Sequence, residues 1–224
     1  LSGISNRPTV FCNESGDWVT YHSDEHGFHN PSGLWSSPSL DIVVLGDSYA
    51  HGVCVPSDRG FVAVIRKRYP ATLNLAMGGS GPLIALANLK EYAAKFRPRT
   101  VLWFLYEEND FGDLQKERKS VLLTRYLSGE FSQGLLDLQG DIDAALENYL
   151  TPKINAAPLV VSDDGTVEFA LPAVLRLGSL RMRLGLVHGA LSNGRSVDRR
   201  VISEDTIGAW VDVLSEAKRT VSSW

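Results

Sequence analysis

Apolar and polar residues follow a pattern that predicts a strand–helix–strand–helix–strand order between residues 41 and 106. Three short, continuous apolar runs are typical of strands covered on both faces: DIVVLGD from Asp41, TLNLAM from Thr72 and TVLWFLY from Thr100. Between them, FVAVIRKRY and LIALANLKEYAAKF carry apolar residues at helical spacing. Parallel strands joined by right-handed crossovers produce this order, so we expect an α/β fold built on a parallel sheet.

Each of the three predicted strands runs into a short segment with residues that a simple connection does not need. These segments are GDS, which ends at Ser48, GGSGP, which contains Gly79, and EEND, which contains Asn109. In a parallel sheet the carboxyl ends of neighbouring strands meet at one edge, where ligands bind. We therefore expect the three segments to converge on one site.

The rest of the chain predicts an irregular N-terminal segment, residues 1–40, with one short strand in DWVTYH, and a main domain over residues 41–224. Within that domain we expect a helical and hairpin insertion at about 111–200. Its predicted elements are helices in RKSVLLTRYLSGEF and LLDLQGDIDAALENYL and a hairpin in APLVVSDDGTVEFALP, with Asp-Gly at its turn. VLRLGSLRMRLGL fits an amphipathic helix broken by glycine or a mobile cover, and EDTIGAWVDVLSEAKRTVSSW predicts a final helix capped by Ser203.

Composition and charge narrow the class of protein without identifying it. With 224 residues, of which 44% are hydrophobic and 21% charged, the chain suits one large globular domain or one domain with an appendage. A net charge of −4 gives no support to nucleic-acid binding, and no apolar run has the length of a membrane span. The two cysteines, Cys12 and Cys54, fit one bridge or two free thiols equally well, so the redox compartment stays open.

Ser48 is the candidate nucleophile, because it directly follows the first predicted strand. A serine hydroxyl attacks a carbonyl only when a base accepts its proton and preorganised donors stabilise the oxyanion. The free backbone N–H groups at the start of the next helix supply such donors. The alternative is that Ser48 only caps this helix.

Gly79 and Asn109 are the candidate donors to the same oxyanion. Glycine lets the backbone approach a ligand closely, so Gly79 can present its N–H group there. Asn109 offers a neutral amide donor that does not ionise. The alternatives are a tight turn before a helix for the glycine segment, and a helix cap or an Asx-turn for Asn109.

GDS after the first strand, a glycine segment after the second and Asn-Asp after the third together resemble the SGNH (GDSL-type) hydrolases. This resemblance implies a three-layer α/β/α fold and no cofactor. It also implies that Ser48 is the nucleophile and first oxyanion donor, Gly79 the second donor and Asn109 the third. NESGDWVTYHSDEHGFHNP and TVLWFLYEENDFGDL resemble a bacterial SGNH-like group of exported or membrane-associated proteins, and the resemblance covers roughly Leu1 to Tyr149.

Two features depart from the family pattern. Glu107 stands where the family's Gly-x-Asn-Asp block has glycine, and the family's Asp-x-x-His block occurs nowhere in the chain. His188 has Gly185 three residues before it instead of Asp. The family sheet also needs about five strands, of which three are predicted here. We therefore expect a fragment whose last strands and catalytic Asp and His lie beyond Trp224, and which is inactive without that His.

The histidines of the chain itself are weaker candidates for a base or a metal ligand. His51, three residues after Ser48, would have to fold back on its own turn, so we expect it to pack on the helix or face solvent. His22, His26 and His29 have spacings that suit a metal only on a helix, which the glycine and proline of the same stretch oppose.

A carboxylate cluster formed by Glu107, Glu108 and Asp110 lacks further ligands at clear spacing. We expect it to be a solvated acidic loop edge and not a cation site. The sequence thus predicts no metal site.

The sequence predicts a serine esterase or acyl hydrolase that acts on a small-molecule or carbohydrate ester, with water or a sugar hydroxyl taking the acyl group. The alternative is a non-catalytic module that binds a carbohydrate or a lipid headgroup through Tyr49, Trp103 and Tyr106, although core packing is expected for Trp103 and Tyr106. Neither hypothesis involves nucleic acid. A membrane anchor upstream of the chain is left open, and the resemblance favours a location outside the bacterial cytoplasm.

Overall fold

The computed structural model describes the following residues: 1–12, 18–155, 159–161, 167–169 and 202–224. The chain divides into two compact units, one formed by Leu1–Ile142 with Ile202–Trp224 and the other by Asp143–Val201. The first unit contains all three predicted site residues.

Two antiparallel strands open the chain: β1 spans Pro8–Cys12 and β2 spans Val19–His22. The strand predicted in DWVTYH is thereby confirmed. The sequence pattern does not predict its partner, because PTVFC begins with proline and lacks clear alternation. A disulfide between Cys12 and Cys54 ties the end of β1 to a later loop, which decides between the two cysteine states that the sequence left open.

Three parallel strands form the central sheet. β3 spans Ile42–Leu45, β4 spans Thr72–Asn74 and β5 spans Thr100–Trp103, with β3 in the middle. All residues of β3 and β4 are buried, which the continuous apolar sequence of β3 predicts, whereas β5 is partly exposed. The prediction of an α/β fold is confirmed at this level, as a mixed α/β structure with a three-stranded parallel sheet.

Helices connect and cover these strands. The α-helices of the described residues are α1 (Ser48–His51), α2 (Phe61–Arg68), α3 (Pro82–Asn88), α4 (Asp110–Glu117), α5 (Val121–Thr124), α6 (Gln139–Asn155) and α7 (Glu204–Ser222). α3 runs on as a π-helix and then a 3-10 turn, and the shorter helical turns are Leu34–Ser36, Leu89–Ala93, Ala94–Phe96, Arg125–Leu127 and Leu135–Asp137. The helices predicted in FVAVIRKRY, LIALANLKEYAAKF and LLDLQGDIDAALENYL are confirmed.

The ends of two predicted helices are set by serine side chains. Ser203 caps α7, because its Oγ accepts the N–H of Thr206 at 3.2 Å, as the sequence predicts. The helix predicted over RKSVLLTRYLSGEF is wrong in length. Ser120 starts α5 by capping it, and the following 3-10 turn ends at Leu127, where the chain turns at Ser128.

In the second unit, β6 (Leu159–Val161) pairs antiparallel with β7 (Val167–Phe169). The hairpin predicted in APLVVSDDGTVEFALP is thus confirmed. Its Asp-Gly turn, the VLRLGSLRMRLGL stretch and His188 lie outside the described residues.

Alternate residues of β3 belong to two different apolar clusters. Val43 and Leu45 lie in the larger one, with buried side chains from α3, α4 and α7. Ile42 and Val44 lie in the smaller one, with Val62 of α2. Because successive strand side chains point to opposite faces, this packing fixes the sheet and so the positions of the loops at its carboxyl edge. None of the helices in the described part of the chain is long and apolar enough to cross a membrane.

Candidate functional site

β3 ends in a tight turn that leads directly into α1. Gly46 has φ +150°, and a side chain there would lie 3.0 Å from the carbonyl oxygen of Phe104, so the turn requires glycine. Asp47 caps α1, because its Oδ1 accepts the N–H of Tyr49 at 2.9 Å. Ser48 is therefore the first residue of the helix and not its cap. The side chain is mostly buried, and the hydroxyl forms no hydrogen bond with any described residue.

The loop after β4, residues 78–81 and here named the glycine loop, lies beside Ser48. A Cβ placed on Gly78 would lie 3.9 Å from the Cβ of Ser48, and the Gly78 N–H donates to Nδ1 of His51 at 3.0 Å. Gly79 follows with φ +84°, a left-handed conformation that favours glycine. Within the described ranges its N–H has no hydrogen-bond partner. It is therefore free to donate to a ligand.

The loop after β5 brings Asn109 to the same edge. Asn109 precedes α4, but its side chain forms no capping hydrogen bond. Its Nδ2 instead lies 3.3 Å from Oδ2 of Asp47 and 3.3 Å from Oδ2 of Asp113, both long contacts. Its Oδ1 is buried and has no partner in the described part of the chain. Asn109 thus contacts the residue directly before Ser48, with its amide N–H groups held by two carboxylates.

The acidic segment that contains Asn109 is only partly solvated. Glu107 and Glu108 are exposed, as expected, but Asp110 is buried, and its Oδ2 accepts the N–H of Tyr106 at 2.8 Å. The expectation of a fully solvated acidic edge is therefore wrong for Asp110. Burial raises the pKa of Asp110 to about 7, and the charges of neighbouring carboxylates add to this shift. Burial also raises the pKa of Asp47.

His51 is a packing residue and not a base for Ser48. Its ring is buried against Phe11 of β1 at 4.6 Å and Tyr21 of β2 at 5.7 Å between centroids, so the expectation that it could face solvent is wrong. Burial lowers its pKa to about 3, so the ring stays neutral at ordinary pH. With Nδ1 accepting from Gly78, the proton of the neutral ring sits on Nε2, which is buried without a partner among the described residues.

The histidines of YHSDEHGFHNP have separate environments. His22 is exposed, His26 packs against Trp35 at 4.3 Å between ring centroids, and His29 contacts Oγ of Ser57 at 2.8 Å through Nε2. The residues that the structure describes contain no group of three or more His, Cys, Asp or Glu that could hold a metal ion. None of these histidines bonds to Ser48.

The same stretch instead anchors the N-terminal segment to the sheet. The buried carboxylate of Asp24 accepts two backbone N–H groups at 2.8 and 2.9 Å and the side chains of Asn30 and Trp35 at 2.7 Å each. Oδ1 of Asn30 in turn accepts the N–H of Asn74 in β4 at 2.7 Å. These residues therefore have a structural role, because a buried carboxylate needs such partners.

Two tyrosines border the site at the surface. Tyr49 is 56% exposed, and its ring lies 4.8 Å from that of Tyr106, whose hydroxyl donates to Glu108 at 2.6 Å. Trp103 is partly buried: its ring lies 5.6 Å from that of Trp210, and it packs against the larger cluster, in line with the expected packing. Tyr106 does not pack in the core, because β5 ends three residues before it.

Glu117 is a buried residue of this region that the sequence pattern does not single out. Its two carboxylate oxygens accept the N–H groups of Gly81 at 2.7 Å and Leu83 at 2.8 Å. Burial raises its pKa to about 7. Glu117 lies in the charged run QKERKS, which does not indicate burial. The only indication is its spacing of three residues from Leu114, which places both on one face of a helix.

Comparison with known proteins does not assign the chain to a family. No protein-family model matches it, and no curated protein is similar enough to count as a relative. The SGNH resemblance therefore depends on the motifs and on the geometry described above.

Proposed function

We propose that this chain carries the nucleophile and the oxyanion donors of an SGNH-type serine esterase or acyl-transferring relative, with a three-layer α/β/α fold. The observation that supports this most is at Ser48. Its hydroxyl is free of hydrogen bonds to described residues, because Asp47 takes the capping role, and it lies beside the glycine loop. The two apolar clusters that share β3 support the layered fold.

In the proposed reaction, Oγ of Ser48 attacks the ester carbonyl carbon while a base takes the hydroxyl proton. The N–H groups of Ser48 and Gly79 and the amide of Asn109 stabilise the oxyanion. The C–O bond then breaks, the alcohol leaves with the proton, and an acyl-enzyme remains. Water or a sugar hydroxyl attacks this ester and releases the acid or the new ester. No cofactor takes part.

The amide of Asn109 has to change partners for this role. Both of its present contacts, to Asp47 and Asp113, are 3.3 Å long and therefore weak. An oxyanion is a stronger acceptor than a distant carboxylate in this position.

The base has to come from outside the described residues, because none of their histidines bonds to Ser48. His188 is one candidate within the chain, but Gly185 replaces the aspartate that would orient it. We therefore propose that the base and its orienting Asp lie outside the residues that the structure describes.

Active-site labelling of the full-length protein tests the proposal. A fluorophosphonate probe should modify the wild-type protein at Ser48, and Ser48→Ala should abolish the modification. Ser57→Ala, which replaces a serine bonded to His29, should label as the wild type does. A folded wild-type protein that does not label would overturn the esterase proposal.

The second candidate is a non-catalytic carbohydrate- or lipid-headgroup-binding module. The exposed Tyr49 and its neighbour Tyr106 at the rim favour it, because tyrosines bind sugars through their ring faces and hydroxyls. This candidate expects no labelling, together with oligosaccharide binding that Tyr49→Ala weakens and Ser48→Ala does not. Calorimetry on the same variants separates the two functions.

A further inference from the structure

The glycine loop is held at its C-terminal end by Glu117 of α4. The two carboxyl oxygens of Glu117 accept the N–H groups of Gly81 at 2.7 Å and Leu83 at 2.8 Å, which are short distances for N–H donors. The contact is close: a Cβ on Gly81 would lie 2.8 Å from Cδ and Oε1 of Glu117, and 2.8 Å from the Cβ of Asp113 on the same helix. Glycine at 81 is thus what allows Glu117 to reach the loop backbone.

The other end of the loop is held by His51. Its Nδ1 accepts the Gly78 N–H at 3.0 Å, and His51 belongs to the same helix, α1, as Ser48. The two anchors therefore hold residues 78 and 81 and leave Gly79 between them. For this reason the Gly79 N–H has no partner among the described residues while the backbone keeps a left-handed conformation.

Glu117 also belongs to the helix that Asn109 precedes. α4 begins at Asp110 and ends at Glu117, so one rigid helix connects the amide of Asn109 with the anchor of the glycine loop. A rigid connection of this kind fixes the distance between two donors that must meet the same oxygen atom.

We propose that Glu117 is a positioning residue that holds the Gly79 N–H in place for the oxyanion, with His51 as the anchor at the opposite end of the loop. This inference depends on the proposed function, since it assigns Glu117 a part in that reaction. Glu117 contacts neither the substrate nor the reacting atoms and acts through the loop backbone.

The test compares two buried glutamates that bond to backbone in the same way. Glu117→Gln replaces one acceptor oxygen of the loop by an NH2 group. Glu91→Gln is the matched control, because Glu91 is also buried and accepts the N–H groups of Gln133 and Leu135 elsewhere in the fold. Both variants are made in the full-length protein.

Two measurements are made on each variant below its melting transition. Hydrogen exchange reports how well each loop is held, and the rate constant for fluorophosphonate labelling of Ser48 reports the oxyanion site. Glu117→Gln should speed exchange at residues 78–83 and slow labelling by at least about tenfold. Glu91→Gln should speed exchange only at residues 133–135 and leave labelling within about twofold of wild type.

The outcomes separate the inference from the function. If the wild-type protein labels and Glu117→Gln labels equally fast, the positioning role is wrong although the esterase proposal stands. Equal slowing by both variants would also overturn it, because a general loss of stability then accounts for the effect. A wild-type protein that does not label overturns the proposed function instead, and the positioning role with it.

A second variant tests the contact without removing the carboxylate. A Cβ at residue 81 would lie 2.8 Å from the carboxyl group of Glu117 and 2.8 Å from the Cβ of Asp113, so Gly81→Ala should displace Glu117 and slow labelling to a similar degree. Labelling of a folded Gly81→Ala protein at the wild-type rate would contradict the proposal.

Discussion

In the turn Gly46–Asp47–Ser48, either of two neighbouring side chains, Asp47 or Ser48, could accept a hydrogen bond from the first N–H groups of α1 and so cap the helix. The sequence cannot decide between them, because Asp and Ser are equally good caps and the choice depends on where the helix begins. In the structure the turn at Gly46, with φ +150°, is followed by Asp47 as the cap and Ser48 as the first residue of the helix. The sequence identifies the candidate serine, but it does not show that the serine hydroxyl forms no hydrogen bond with the described residues.

This assignment predicts the stability of three single-site variants. Asp47→Ala removes the cap and should lower the free energy of unfolding by about 1 kcal/mol, whereas Asp47→Asn should retain most of it. Ser48→Ala should change it little, since the hydroxyl makes no hydrogen bond to a described residue. Urea denaturation measures all three. A loss for Ser48→Ala as large as that for Asp47→Ala would identify Ser48 as the cap.

The raised pKa of Glu117 predicts how stability depends on pH. Burial is the main cause of the shift, to which Asp113 on the same helix adds, while the N–H groups of Gly81 and Leu83 oppose it. The ordinary pKa is 4.5 and the pKa in the folded protein is about 7, so between these values the folded state keeps a proton that the unfolded state has released. Stability should therefore fall as pH rises through this interval.

Glu117→Gln removes this titration, so its unfolding free energy should depend less on pH over the same interval. Asp110, with a pKa also raised to about 7, should contribute to the remaining slope, so Asp110→Asn should reduce it further. Urea denaturation at several pH values gives the slopes. Identical slopes for Glu117→Gln and the wild type would show that Glu117 ionises normally.

At the scale of elements, the buried strands are the most predictable feature, because a short continuous apolar run between turn residues is typical of a strand covered on both faces. Their ends are less predictable: the run TVLWFLY suggests a strand to Tyr106, but β5 stops at Trp103. The N-terminal strand β1 is missed because PTVFC lacks alternation, and its partner is chosen by tertiary contacts. Pairing of its Cys12 with Cys54 likewise depends on the fold.

The disulfide links Cys12, at the end of β1, to Cys54, in the loop after α1, and we expect it to stabilise the folded protein. It closes a loop of 42 residues, for which the chain-entropy model gives about 4 kcal/mol. The double variant Cys12→Ser/Cys54→Ser should lose stability of this order in thermal or urea unfolding. Alkylation without reductant should leave both cysteines of the wild type unmodified; modification of both would contradict the bond.

At the scale of the whole molecule, the convergence of loops at the carboxyl edge follows from strand order alone. The sequence predicts that Ser48, Gly79 and Asn109 follow three parallel strands, and topology places such loops at one edge. Their contacts are not predictable in this way. That Asn109 reaches Asp47, and that Glu117 holds the glycine loop, depends on how α4 packs against α3.

The source of the catalytic base is also a question about the whole molecule. His188→Ala in the full-length protein should retain fluorophosphonate labelling, because Gly185 stands where an orienting aspartate is needed and an unoriented imidazole is a poor base. The exposed His22 provides a control, since His22→Ala should also label normally. Loss of labelling in a folded His188→Ala protein would instead assign the base to His188 and contradict a base supplied from further along the chain.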